Sequence, residues 1–167
     1  MRRWTARHWP LLGALVAYGA ITAWLAALAL RQTGGRFVYL MDDAYIHMAV
    51  AKNAALHHVW GVTRYQFSSS TSSPLWTLIL ALAYSLFGVD EIAPLILNIG
   101  AGILLLVSCE ILLRRWVESR AGLFALLLVV VFVIRLPTLT LLGMEHLIHV
   151  LLVVWFADCA TGVLAGG

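Results

Sequence analysis

Four apolar runs dominate the sequence and decide what class of structure this chain can adopt. They cover residues 10–30, 92–113, 121–136 and 147–163 and are almost free of charged side chains. A run of about 20 apolar residues is long enough to cross the hydrocarbon core of a bilayer as a helix. Because 62% of the residues are hydrophobic and only 11% are charged, we predict an all-α integral membrane protein, a multi-span helical bundle.

The basic residues lie at the ends of the apolar runs, where they orient helices in the membrane. One group precedes the first run and another follows residue 113: Arg2, Arg3 and Arg7, and Arg114, Arg115 and Arg120. The positive-inside rule puts both groups in the cytoplasm, which makes the first run an uncleaved anchor and exports residues 31–91. The net charge of +3 therefore reflects membrane topology, and we expect no nucleic-acid partner.

A fifth apolar stretch, residues 74–87, has the wrong length and the wrong position for a span. If it crossed the membrane, the arginines after residue 113 would be exported, against the charge rule. We therefore predict an interfacial helix at 74–87, within a large exported loop of residues 31–91. A second, short exported segment lies around residues 135–146.

Adjacent carboxylates, Asp42 and Asp43, open a predicted helix that ends near His58. At a helix start a carboxylate caps free N–H groups, which explains one aspartate better than two. Two neighbouring negative charges favour a nearby cation, metal or substrate. His47 shares the helix face of Asp43, so the pair is also a candidate for part of a metal site.

Other polar residues allow both a structural and a functional interpretation. Lys52 is either an interfacial residue or a ligand for a lipid phosphate. The serine loop, residues 68–73, is either a linker or a loop whose hydroxyls meet a phosphate or a sugar. Glu145 beside the last span indicates a buried or water-lined position, with His149 as a possible partner one turn later.

Four stretches together resemble a known family. They are DDAYIHMAVAKN (42–53), SSSTSSPLWTLILALAYSLFG (68–88), LLRRW (112–116) and GMEHLIH (143–149). In order and spacing they resemble the N-terminal part of GT-C glycosyltransferases, the multi-span enzymes that use polyprenyl-phosphate sugars. The resemblance extends over almost all 167 residues. It is to bacterial envelope members of the family, including arabinofuranosyltransferase-like and aminoarabinose-transferase-like proteins.

The resemblance implies a GT-C-like bundle with juxtamembrane helices in the first exported loop, in the plasma membrane. It implies inverting transfer of a sugar from a polyprenyl-phosphate donor to a glycan or lipid acceptor of the cell envelope. By resemblance Asp43 is the catalytic carboxylate, Asp42 its companion and Glu145 the acidic residue of the second loop. A carboxylate would take the proton of the acceptor hydroxyl as the polyprenyl phosphate leaves.

The donor phosphate also needs a partner of opposite charge. Lys52, Arg64 and His57 are the candidates for stabilising it, since it gains negative charge as it departs. Asp42 and Asp43 would instead hold Mg²⁺ or Mn²⁺ against the phosphate in a metal-dependent version, because these ions prefer oxygen ligands.

The sequence departs from the family in length. GT-C enzymes have further spans and often a soluble C-terminal domain, so the C-terminal part of the family's fold is absent from these 167 residues. A non-catalytic membrane subunit or scaffold is therefore the main alternative. A small transporter fits less well, because its ionisable groups would normally lie within the spans.

Overall fold

The computed structural model describes the backbone of residues 2–165 and the side chains of residues 8–164. The side chains of Arg2, Arg3 and Arg7, on which the predicted orientation of the first helix partly depends, lie outside the described residues. Between residues 2 and 165 all regular secondary structure is helical. The helices are α1 Arg2–Gln32, α2 Asp42–His57, α3 Pro74–Phe87, α4 Ala93–Leu113, α5 Arg120–Val133, α6 Leu136–Leu141 and α7 His146–Ala165.

Three helical segments are long and apolar enough to cross a membrane. They are His8–Gln32 in α1, Ala93–Leu113, which is α4, and His146–Leu164 in α7. These segments coincide with three of the four predicted spans. The prediction of a helical membrane protein is thus confirmed.

The fourth predicted span, residues 121–136, is shorter than expected. Helix α5 has 14 residues and ends at Val133, so it rises only about 21 Å. Arg135 then adopts a left-handed conformation with φ 55°, which interrupts the helix. Pro137 lies at the start of α6, where a proline ring is compatible with a new helix but not with continuation of the previous one. Helix α5 therefore ends two residues before Arg135, and α6 follows as a separate short helix.

Helix α5 runs in the same direction as α1. Phe124, near the start of α5, packs on Trp9, near the start of α1, with 5.1 Å between the ring centroids. Thr140 lies beyond the end of α5, and its Oγ1 is 2.8 Å from the hydroxyl of Tyr18, farther along α1. The two contacts fix the relative direction because they occur in the same order along both helices.

Helices α4 and α7 also share a direction. Asn98, near the start of α4, donates a 3.0 Å hydrogen bond to the carbonyl of Met144, just before α7. Farther along, the indole N–H of Trp155 donates to Oγ of Ser108 at 3.0 Å.

Helix α4 runs against α1. Nη2 of Arg114, just past the end of α4, lies 3.3 Å from Nδ1 of His8, near the start of α1. The four segments α1, α4, α5 and α7 thus alternate in direction along the chain. This is the order that the arginine distribution predicts for four successive crossings.

The bundle encloses one apolar core. Its buried residues come from α1, α4, α5, α6 and α7, so every helix of the bundle contributes. They are Ala14, Tyr18, Ala101, Leu105, Leu106, Leu123, Leu127, Val131, Leu136 and Leu147.

Helices α2 and α3 form a cap at the end of the bundle where α1 ends and where α4 and α7 begin. Ala51 of α2 packs with Trp76 and Leu80 of α3, and this cluster rests on Leu97 of α4 and Ile148 of α7. We call α2 and α3 together the α2–α3 cap. Away from the bundle, α3 exposes a row of leucines, as expected for an interfacial helix: Leu75, Leu78, Leu82 and Leu86.

Local signals set the bounds of the cap helices. Helix α2 ends at His57 because His58 is left-handed, with φ 55°, and its N–H donates to the carbonyl of Asn53. Helix α3 begins with Pro74, whose fixed φ suits a first helical turn. It ends before Gly88, whose φ of 89° favours glycine. The predicted helices near 42–58 and at 74–87 are therefore confirmed.

Candidate functional site

The two predicted catalytic aspartates lie side by side in the first turn of α2. Both Asp42 and Asp43 are exposed. Met41 precedes them in an extended conformation and provides no side-chain cap. The carboxylates therefore supply the negative charge that is favoured near the positive end of the helix dipole. This structural use is compatible with a chemical one.

His47, one turn after Asp43, is buried beneath them, with 1% of its surface exposed. Its Nδ1 lies 2.7 Å from Oγ1 of Thr71 and 3.0 Å from Oγ1 of Thr77. Its Nε2 lies 3.5 Å from Oγ of Ser72. His47 thus joins α2 to the serine loop and to the first turn of α3.

Glu145 reaches His47 from the other side. It precedes α7 and is 9% exposed, and its Oε2 lies 3.6 Å from Nε2 of His47. At this distance the two groups form an ion pair only when His47 is protonated, and the separation is too long for a hydrogen bond. Among the described residues, that Oε2 has no hydrogen-bond partner. His47 and Glu145, which the sequence analysis placed in two different loops, are therefore in contact.

The sequence suggested another partner for Glu145. His149 follows by one turn, but its contact is made by the backbone, whose N–H donates to the carbonyl of Glu145 at 3.0 Å. The side chain of His149 is exposed. The carboxylate points instead toward the α2–α3 cap and His47.

Burial lowers the pKa of His47. The carboxylates of Glu145 and Asp43 act in the opposite direction, because negative charges favour the imidazolium, but desolvation is the larger effect. A buried histidine between two carboxylates thus resists protonation more than a free histidine does.

The predicted phosphate-binding residues do not join this cluster. Lys52 lies nine positions after Asp43, which puts it on the opposite side of α2 at about 100° per residue. His57 is in the last turn of α2, about 21 Å along the helix axis from Asp43. Arg64 lies in the loop after α2, and its guanidinium is 5.0 Å from the ring centroid of Tyr65.

The possible metal site remains a prediction. Asp42 and Asp43 would offer two neighbouring oxygen ligands to Mg²⁺ or Mn²⁺, and phosphate or water would have to supply the others. Between residues 2 and 165 no group of three or more histidine, cysteine, aspartate or glutamate side chains is arranged to hold a metal ion.

The serine loop is tied down at several points. Oγ of Ser68 accepts a 3.0 Å hydrogen bond from the N–H of Val62 and lies 3.1 Å from Oγ of Ser70. Thr71 contacts both His47 and Thr77, with 2.7 Å between the threonine hydroxyl oxygens. The loop is thus packed on the cap, which argues against the interpretation as a free linker.

A cleft of about 470 Å³ opens beside the first turns of α2. Tyr45 lines one side, while Asp90 and Glu91 from the segment before α4 line another. Arg36 and Phe37 complete the wall on the side of the loop after α1. The cleft therefore combines aromatic, acidic and basic side chains at the same end of the bundle as Asp43.

Three polar residues of the cluster were missed by the sequence analysis. Thr71 and Thr77 contact His47 across 24 and 30 positions, and no local pattern predicts such a pairing. Asn98, fully buried in α4, holds the turn before Glu145 through its bond to Met144. Its presence within an apolar span was the signal that could have indicated it, because a polar side chain is costly there unless it finds partners, as Nδ2 does at Met144.

Models of known protein families, curated protein sequences and solved structures were compared with the chain, and none of them matches. The class of this protein therefore follows from its own fold. It is a helical membrane protein with three helices of spanning length and a buried His–Glu pair beneath an exposed aspartate pair.

Proposed function

We propose that this protein is a GT-C-like glycosyltransferase that moves a sugar from a polyprenyl-phosphate donor to a hydroxyl of a cell-envelope glycan or lipid. The reaction would take place at the α2–α3 cap, on the non-cytoplasmic face of the plasma membrane. The observation that carries the proposal is the contact between His47 and Glu145, with Oε2 of Glu145 3.6 Å from Nε2 of His47, one helical turn from Asp43 on α2. A site at the end of the helix bundle suits a donor whose polyprenyl chain stays in the bilayer.

In this mechanism Asp43 is the general base. Its exposed carboxylate accepts the proton of the acceptor hydroxyl, and the hydroxyl oxygen forms a bond to the anomeric carbon of the sugar. The bond between that carbon and the phosphate oxygen breaks, and the electron pair leaves with the polyprenyl phosphate. Glu145 is too buried to reach a substrate directly, so its part in the proposal is to support His47.

The leaving phosphate and the acceptor both need space near Asp43. The cleft beside Tyr45 offers about 470 Å³, and Arg36 provides a positive charge in its wall. Arg36 is therefore a candidate partner for the phosphate besides Lys52, Arg64 and His57. Carboxylates and aromatic rings in the same wall are suited to hydroxyl-rich acceptors.

A non-catalytic scaffold is the second candidate, and one observation favours it. Lys52 is on the opposite side of α2 from Asp43, and the guanidinium of Arg64 lies against Tyr65. A scaffold would need neither cation near the aspartates. In a scaffold, the α2–α3 cap would bind another membrane protein.

Two measurements on the full chain in nanodiscs test the enzyme proposal. The first is native mass spectrometry with undecaprenyl phosphate, with undecaprenol as the control that lacks the phosphate. The second follows the release of farnesyl phosphate from farnesyl-phosphate-linked pentoses and hexoses, with octyl glycosides as acceptors. We expect phosphate-dependent binding, and a loss of release of about 100-fold or more in Asp43→Asn.

Asp158→Asn is the matched control, because Asp158 pairs with Arg115 at the far end of α4 and α7. It should release farnesyl phosphate at close to the wild-type rate. Equal rates in wild type and Asp43→Asn would contradict the assignment of the base. No release from any donor, together with no preference for the phosphate over undecaprenol, would support the scaffold.

A further inference from the structure

We propose that His47 is a positioning residue that holds Asp43 in place through two opposed contacts, one to the serine loop and one to Glu145. This inference rests on the proposed function, in which Asp43 is the base. It adds a residue that touches no substrate and assigns Glu145 to the support of the base.

Asp43 depends on the position of α2. Its side chain is exposed, and its carboxylate is close enough to His47 to influence the charge on that ring. Its direction therefore follows from the rotation and the tilt of the first turn of α2. His47 is about 6 Å along the axis and about 40° around it from Asp43, so whatever fixes His47 also fixes the face that carries the carboxylate.

The two ring nitrogens of His47 contact different parts of the chain. Nδ1 faces Oγ1 of Thr71 at 2.7 Å and Oγ1 of Thr77 at 3.0 Å. Nε2 faces Oε2 of Glu145 at 3.6 Å, in the turn that precedes α7. The ring therefore lies between the cap and the bundle, and it can neither rotate nor shift without losing one set of contacts.

The hydroxyl groups around His47 determine which ring nitrogen can carry the proton. Thr77 donates its hydroxyl proton to the carbonyl of Ser73 at 3.0 Å. If Thr71 donates to Nδ1, the ring carries its proton on Nε2, directed at Oε2 of Glu145. If Nδ1 carries the proton instead, Oγ of Ser72, 3.5 Å from Nε2, is the hydroxyl that can donate to that nitrogen. In both arrangements Nδ1 stays tied to Thr71, and Nε2 faces Glu145 and the serine loop.

Small errors in the position of a base have large effects on rate. A displacement of about 1 Å can cost about 100-fold in rate, because the reacting atoms leave the near-attack geometry. The loss of His47 would release the first turns of α2 from both sides. We therefore expect a lower kcat, with little change in the binding of the donor phosphate.

Three substitutions separate the two contacts. His47→Ala removes both, His47→Asn keeps a polar atom near Nδ1, and His47→Gln keeps one near Nε2. In the farnesyl-phosphate release assay we expect kcat to fall about 10- to 100-fold in His47→Ala, with KM nearly unchanged. His47→Asn and His47→Gln should each recover part of the lost rate.

Asn53→Ala is the control for a general loosening of the cap. The segment between α2 and α3 ends with the serine loop and begins near Gly61. Asn53 holds this beginning by donating 2.8 Å hydrogen bonds to the carbonyls of Gly61 and Val62. Hydrogen exchange should show faster exchange of residues 68–73 in His47→Ala, and of residues 59–62 in Asn53→Ala. Only the first variant should have a reduced kcat.

The outcomes distinguish this inference from the proposed function. If wild type transfers, Asp43→Asn does not, and His47→Ala keeps the wild-type kcat, the positioning role is overturned while the glycosyltransferase remains. An equal loss of kcat in Asn53→Ala also overturns it, because the effect is then general. If wild type shows no transfer, the proposed function fails, and the positioning role fails with it.

Discussion

The hydroxyl of Tyr18 donates a hydrogen bond to Oγ1 of Thr140, 122 positions away, over a distance of 2.8 Å. The direction follows because Thr140 uses its own proton in a 2.9 Å bond to the carbonyl of Leu136. Both side chains are buried inside the bundle. This bond links α1 to the short helix α6 across the core of the bundle.

Removal of this bond should destabilise the bundle. We expect Tyr18→Phe to lower the free energy of unfolding by about 0.6 to 2 kcal/mol, the range for hydrogen bonds between membrane helices. Unfolding by sodium dodecyl sulfate in mixed micelles measures the change. In a double-mutant cycle with Thr140→Val, the two effects should not add, because both variants lack the same bond. Additive effects would mean that the two hydroxyls are not coupled.

Gly143 should not tolerate a side chain. Its φ is 70°, and an added Cβ would lie 2.6 Å from ring carbons of Tyr39. Gly143→Ala therefore combines backbone strain of about 1 kcal/mol or more with a clash that displaces the turn before Glu145. A lower midpoint in thermal unfolding is the expected result.

Gly34→Ala is the matched control for Gly143→Ala. Gly34 has φ 66°, close to the value at Gly143, but an added Cβ there would have no neighbour within 4 Å. It carries the strain of a positive φ without the clash, so its thermal midpoint should fall less. A larger fall in Gly34→Ala would contradict the packing of Tyr39 on the turn.

Stability should decrease in mildly acidic solution because of His47. Burial lowers its pKa in the folded protein below the ordinary value of 6.5. Below pH 6.5 the unfolded chain therefore binds more protons than the folded chain at this position, and the free energy of unfolding falls with falling pH. The slope for one such group is at most about 1.4 kcal/mol per pH unit.

His47→Gln provides the comparison, because glutamine does not titrate. Unfolding curves between pH 7.5 and 5 should show a smaller decrease for His47→Gln than for wild type. Equal pH dependence in the two proteins would show that another group is responsible.

The orientation predicted from the arginines can be tested by labelling. In a variant with Cys109 and Cys159 replaced by alanine, we expect Ser69→Cys to react with an impermeant maleimide in intact cells. Glu118→Cys, between α4 and α5, should react only after permeabilisation, because the positive-inside rule keeps its neighbouring arginines in the cytoplasm. The reverse pattern would invert the topology and move the candidate site to the cytoplasmic face.

Local patterns predicted much of the fold. Hydrophobic length gave the three helices of spanning length, and Pro74 and Gly88 marked both ends of α3. The fourth run was predicted to end near Arg135, and α5 ends at Val133. The short helix α6, which follows the left-handed Arg135, was missed, because its packing on α1 and α4 is tertiary and hydropathy does not describe it.

The candidate site was predicted only in part. Asp43 and Glu145 were identified by the chemistry expected of carboxylates near a membrane, and His47 by its helical spacing from Asp43. The contact between His47 and Glu145 depends on tertiary structure, since the two residues are 98 positions apart in the sequence. For the same reason, the contacts of His47 with Thr71 and Thr77 have no counterpart in a local pattern.

The short helix α5 has a consequence for the lipid around the protein. Its exposed apolar side chains, Val129 and Phe132 among them, face outward over a rise of about 21 Å, whereas the hydrocarbon core of a bilayer is about 30 Å thick. If α5 is the fourth crossing that the sequence predicts, the lipid beside it would have to thin by several ångströms to match it, while lipid beside α1 meets a helix of full length. The bilayer around the protein would then be thinner on the α5 side than on the α1 side, and lipids with short acyl chains should collect beside α5.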